Sequence, residues 1–84
     1  MKRLYGTGTL VFKEGESGLV AYVILSGEVG LIKDAPRGPV VLTVLGKGEV
    51  FGEIGVLTRD PRNVSARART ELVVEVVPCS EFLH

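Results

Sequence analysis

Turn-forming residues cut this chain about every 8–12 residues, a spacing that suits short strands and leaves no room for helices of ordinary length. The cuts fall at Gly6-Thr7-Gly8, Glu14-Gly15-Glu16-Ser17-Gly18, Ser26-Gly27-Glu28, Asp34-Ala35-Pro36-Arg37-Gly38-Pro39, Gly46-Lys47-Gly48, Arg69-Thr70-Glu71 and Pro78. What lies between them is β-forming: fourteen Val and five Thr stand against four Ala, and branched side chains fit a pleated surface better than a helix. Strands are therefore expected at residues 9–13, 20–25, 29–33, 40–45, 64–69 and 72–77. Residues 20–25 are apolar on both alternating sets, as in a strand covered on both faces. The segment of residues 34–39 reads as an exposed hairpin tip. Short strands with turn signals at this spacing make a mainly β domain, a sandwich, roll or barrel.

Size and charge narrow the functions such a domain can hold. Eighty-four residues make one domain, whose expected stability is about 4–13 kcal/mol, so each apolar residue counts. Ten Lys+Arg balance ten Asp+Glu, which leaves no chain-wide field for DNA, RNA or an anionic membrane; any anion must be held by a local site. The basic set Arg59, Arg62, Arg67 and Arg69 reads as a solvated strand face, and no nucleic acid partner is expected for this chain alone. One cysteine, no apolar run near membrane-spanning length and no signal-peptide pattern at Met1-Lys2-Arg3 point to a soluble protein of a reducing, cytoplasmic compartment.

One stretch breaks the strand rhythm. Residues 50–63 show neither clean alternation nor a full helical stripe, though Glu53-Ile54-Gly55-Val56-Leu57 could make a turn or two of helix before Arg59-Asp60-Pro61 ends it. Gly52 and Gly55 let backbone N–H groups approach a ligand without a Cβ in the way, and a short helix starting near Ile54 adds unpaired N–H donors. Arg62, on the return of the loop after Pro61, can give two parallel charge-assisted hydrogen bonds to an anion, a geometry lysine cannot reproduce. Glu53 beside an anion makes sense if it accepts hydrogen bonds from a hydroxyl pair. Together these residues suggest a phosphate cradle next to a sugar hydroxyl.

The run Phe51-Gly52-Glu53-Ile54-Gly55-Val56-Leu57, followed by Pro61-Arg62 and Ser65-Ala66, resembles the phosphate-binding cassette of the cyclic nucleotide-binding domain family. That family includes the catabolite activator protein, regulatory subunits of cyclic-AMP-dependent kinase and cyclic-nucleotide-gated channels. The upstream stretches Gly8-Thr9-Leu10-Val11-Phe12-Lys13-Glu14-Gly15-Glu16, Ala21-Tyr22-Val23-Ile24-Leu25-Ser26-Gly27-Glu28-Val29 and Leu45-Gly46-Lys47-Gly48-Glu49 are similar to it too. The resemblance implies a jelly-roll-like β-roll, two antiparallel sheets with one short cassette helix and the start of a C-terminal helix at Ser80-Glu81. It implies a non-catalytic sensor of a 3′,5′-cyclic purine nucleotide, cAMP or cGMP, with no other cofactor. By the same resemblance Glu53 takes the ribose 2′-hydroxyl, Arg62 takes the cyclic phosphate, and the backbone of Gly52, Ile54, Gly55 and Asn63 completes the sugar-phosphate contacts. Val40 and Leu42 would face the base.

This chain departs from the family at two places in the cassette. Asn63 stands where Ala, Ser or Thr is usual, leaving cAMP and cGMP both open, and Val64 replaces a usual alanine and narrows the pocket. Family members also carry helices before and after the roll, so the expectation is a domain over residues 1–84 that lacks the flanking N-terminal and C-terminal lid helices and reports through an effector protein or a second copy. The competing reading is a structural or oligomerisation module that keeps the roll and has lost the nucleotide. For Arg62 alone, the competing reading is a surface arginine or an ion pair with Glu53 or Asp60. Other matches fail: Gly46-Lys47-Gly48 lacks the Ser/Thr of a P-loop, and His84 has no companions for a metal site or for catalysis.

Overall fold

In the computed structural model, residues 1–52 and 61–78 are described. They form eight strands: β1 (Lys2–Tyr5), β2 (Leu10–Phe12), β3 (Val20–Ser26), β4 (Val29–Lys33), β5 (Val40–Leu45), β6 (Val50–Phe51), β7 (Ser65–Ala68) and β8 (Leu72–Pro78). Two four-stranded sheets result, ordered β1-β8-β3-β6 and β2-β7-β4-β5, with every pairing antiparallel. This is the mainly β roll expected. The strands the residue pattern did not mark are β1, which opens the chain, and two-residue β6, which pairs Phe51 with Tyr22. The cassette helix near Ile54 and the helix start at Ser80-Glu81 fall on residues 53–60 and 79–84, outside the described residues. Among the described residues no helix is long and apolar enough to cross a membrane.

The inward-facing side chains alternate as the pleat demands. Tyr22 and Ile24 on β3, Leu72 and Val74 on β8, Ala66 and Ala68 on β7, with Phe12, Val29 and Phe51, make one buried core between the sheets. At its end sits an aromatic trio. Tyr22 and Phe51 stack with centroids 5.0 Å apart, and Phe12 lies 6.0 Å from each. Gly27, in the β3–β4 turn, has φ +90°, and a Cβ there would run into the Glu71 carbonyl; only glycine lets that turn close against the β7–β8 connection. β6 and β7 belong to different sheets, and Gly52, just after β6, meets Arg62, shortly before β7, beside the aromatic trio.

Candidate functional site

Arg62 is the centre of this end of the roll, and it is buried, with 5% of its surface exposed. Its Nη1 donates to the Gly52 carbonyl and its Nη2 to the Val20 carbonyl at 2.8 Å, while the guanidinium carbon lies 4.4 Å from the centroid of the Phe12 ring. The reading of Arg62 as a surface arginine is therefore wrong: two carbonyl dipoles and an aromatic face replace the water it gives up. Nε is buried with no hydrogen-bond partner among the described residues. The main chain is held as tightly. Arg62 N–H donates to the Glu16 carbonyl at 2.8 Å, and the Arg62 carbonyl accepts from Gly15 N–H at 2.7 Å.

Two glycines make this burial fit. A Cβ on Gly18 would overlap Nη2, the guanidinium carbon and Nε, and one on Gly52, where φ is +83°, would stand 3.0 Å from Nη1 and 3.4 Å from Phe12 and Tyr22. Gly52 was expected to bring its backbone N–H to a ligand; in the fold it is its carbonyl that meets Arg62. Gly18, Phe12 and the Val20 carbonyl were not foreseen. In sequence Gly18 is one of several glycines in a turn, and its contact with Arg62, forty-four positions away, leaves no local mark.

The remaining predicted positions lie in four different settings. Asn63 is exposed, and its carbonyl accepts from Lys33 Nζ at 2.9 Å. Val64 is half-buried and packs against the core, directly before β7. Glu53, Ile54 and Gly55 lie outside the described residues. Val40 and Leu42, 49% and 57% exposed, stand on β5 at the edge of the second sheet. Lys33, on β4, was also missed: besides Asn63 it pairs with Glu14 at 3.5 Å, and Glu14 N–H donates to Ser65 Oγ at 2.9 Å. A separate hollow of about 190 Å³, bordered by Lys13, Asp34 and Arg67, lies on the outer face of the second sheet and includes neither Gly52 nor Arg62.

Burial pushes the Tyr22 phenol above its ordinary pKa, Tyr5 and then Glu16 add to the rise, and the Arg62 and Arg3 guanidiniums oppose it. Among the described residues no cluster of three or more His, Cys, Asp or Glu side chains could hold a metal ion. An arginine with five N–H donors, two of them committed to carbonyls, can still receive an oxyanion.

Residues 2–84 match the cyclic nucleotide-binding domain. The chain is 41% identical over 66 residues to the CRP-like cAMP-activated global transcriptional regulator of Mycobacterium tuberculosis, covering 77% of this chain and 30% of that one. It is 38% identical over 79 residues to the cAMP-dependent protein kinase regulatory subunit of Debaryomyces hansenii, covering 94% of this chain and 17% of that one. It thus spans under a third of either relative. Among solved structures, the EAL enzyme Bd1971 matches in its cAMP-bound form with a TM-score of 0.94 and in its cGMP-bound form with 0.95, at 29% identity, over 99% of this chain and 23% and 22% of those chains. With the roll and the domain match in agreement over nearly its whole length, the chain belongs to the cyclic nucleotide-binding domain family.

Proposed function

We propose that residues 1–84 act as a non-catalytic regulatory module that captures a 3′,5′-cyclic purine nucleotide, cAMP or cGMP, and passes the event to an effector. The observation that carries this reading is the buried Arg62, ready-made at the junction of the two sheets beside Gly52. Arg62 takes the cyclic phosphate through the N–H groups its carbonyl partners leave over, Gly52, Ile54, Gly55 and Asn63 supply backbone contacts, and Glu53 takes the ribose 2′-hydroxyl. Val64 shapes the wall next to Asn63. The relatives' roles as a cAMP-activated regulator and a kinase regulatory subunit support a regulatory use, and the cAMP- and cGMP-bound forms of Bd1971 support both purines as ligands. The EAL chain is an enzyme of which the matched part is under a quarter, which agrees with a module that carries no chemistry itself. A cytoplasmic setting suits a lone thiol.

Calorimetric titration with cAMP, cGMP and 5′-AMP tests the proposal. Saturable heat with a cyclic nucleotide and none with 5′-AMP is expected. Arg62→Lys should lower affinity by at least tenfold, since an ammonium cannot hold two carbonyls and a phosphate in one plane. Glu53→Ala should reduce discrimination against the 2′-deoxy analogue. No heat with either cyclic nucleotide at millimolar concentration refutes the proposal and favours a roll that binds no nucleotide.

A further inference from the structure

Resting on the reading of this site as a nucleotide cradle, we infer that Lys33 is a positioning residue for capture: from β4, it fixes the peptide planes around Asn63 so that their N–H groups face the ligand. Peptide bonds among the described residues are trans, and in a trans peptide the C=O and the N–H point in opposite directions. The Arg62 carbonyl is held by Gly15 N–H at 2.7 Å, so the N–H of the same peptide, that of Asn63, is turned away from the 14–16 turn. The Asn63 carbonyl is held by Lys33 Nζ at 2.9 Å, so the N–H of the next peptide, that of Val64, is turned away from Lys33. Neither N–H donates a hydrogen bond among the described residues. Two consecutive carbonyls, each held by its own partner, thus leave two consecutive donors directed away from those partners, a form suited to an oxyanion.

Lys33 is itself held in place for this task. Glu14 Oε1 has no hydrogen-bond partner in spite of its burial, and its ion pair with Lys33 at 3.5 Å is its compensation. Glu14 is tied by its own N–H to Ser65 Oγ at 2.9 Å, just after the segment being positioned. The ammonium is thereby aimed from the turn before β3, and it acts on the loop that carries Arg62. Nothing in residues 61–64 marks this dependence, because the lysine comes from a strand thirty positions earlier.

The test separates positioning from plain stability. Lys33→Met alone would strand the Glu14 carboxylate, so the informative variant is Lys33→Met with Glu14→Gln, which removes the stranded charge. Its urea midpoint should stay near that of the parent, while its Kd for cAMP or cGMP rises about tenfold, the equivalent of one ordered hydrogen-bonding arrangement; Lys33→Arg should recover most of the loss. Residual dipolar couplings of the Asn63 and Val64 N–H vectors, measured without ligand, should show fixed orientations in the parent and averaged ones in the double variant. Unchanged couplings in the double variant overturn the inference whether or not nucleotide binds. A parent that binds no cyclic nucleotide refutes the proposed function and with it the use of the donors for capture. Equal affinities of parent and double variant refute Lys33's role and leave the function standing.

Discussion

Replacing Gly18 by alanine should damage this protein through a residue forty-four positions away. The added Cβ would lie closer than 3.0 Å to three atoms of the Arg62 guanidinium, a separation at which something must move. Gly18 has no left-handed φ, so the backbone tolerates alanine and the whole effect comes from the contact. The guanidinium is the far end of a flexible side chain, and it is what yields. The cost is then set by what Arg62 gives up: two charge-assisted bonds to the Gly52 and Val20 carbonyls, each worth about 1.5–3 kcal/mol, and its place over Phe12. Water recovers part of this for the displaced groups, so the net loss should be about 2–4 kcal/mol. Urea denaturation of the parent, Gly18→Ala, Arg62→Ala and the double variant measures it. Gly46→Ala, where no atom lies within 4 Å of the new Cβ, serves as a control that should change stability by less than about 0.5 kcal/mol. On the Arg62→Ala background, Gly18→Ala should cost almost nothing, giving a coupling energy of about 2–4 kcal/mol, the whole of the single-variant loss. A Gly18→Ala protein as stable as the parent, or losses that simply add, would refute the claim that this glycine exists to admit the guanidinium.

Other perturbations follow from the same contacts. Gly27→Ala combines φ +90° with a Cβ driven into the Glu71 carbonyl, so a loss of about 2 kcal/mol or more is expected in thermal or urea melts. Phe51→Ala empties a fully buried position, 1% exposed, between Tyr22 and Phe12; about 3–5 kcal/mol should go, enough to unfold the chain near the lower end of its expected stability. At alkaline pH stability depends on Tyr22, whose pKa burial raises in the fold above the ordinary tyrosine value of 10.0. Its contribution is intact below pH 10 and is lost as pH rises through the raised folded value, because the unfolded chain loses that proton first. Tyr22→Phe should therefore flatten the fall in stability seen in urea melts as pH rises above the ordinary tyrosine range; an unchanged slope would assign the alkaline loss to other groups.

The residue pattern revealed the architecture where local chemistry dictates it. Val-rich runs bounded by turn-forming residues became β3, β4, β5 and β8 within a residue or two, and Arg69-Thr70-Glu71 became the β7–β8 turn. It failed where a strand is defined by its partner. Lys2-Arg3-Leu4-Tyr5 has no alternation worth the name, yet it adds to β8 because Tyr5 finds the Leu72 register, and Val50-Phe51 is a strand only because Tyr22 and Val23 lie alongside. Val40, Val41 and Leu42 stay half-exposed because β5 stands at a sheet edge, with β4 on one side only. At the site, Gly52 and Arg62 were legible because their spacing is local. Gly18, Phe12 and Lys33 act on Arg62 or Asn63 across 30 to 50 positions, through contacts that only the closed roll creates.

The carbonyl grip on Arg62 also bears on how tightly a ligand can be held. A free arginine carries about 2 kcal/mol of rotamer entropy, and a site built on a mobile arginine surrenders it at the moment of binding. Here Gly52, Val20 and Phe12 have already collected that loss during folding. An oxyanion arriving at the remaining N–H groups meets a side chain with little freedom left to lose, so about tenfold or more in affinity is secured in advance, and at the expense of the fold rather than of the complex.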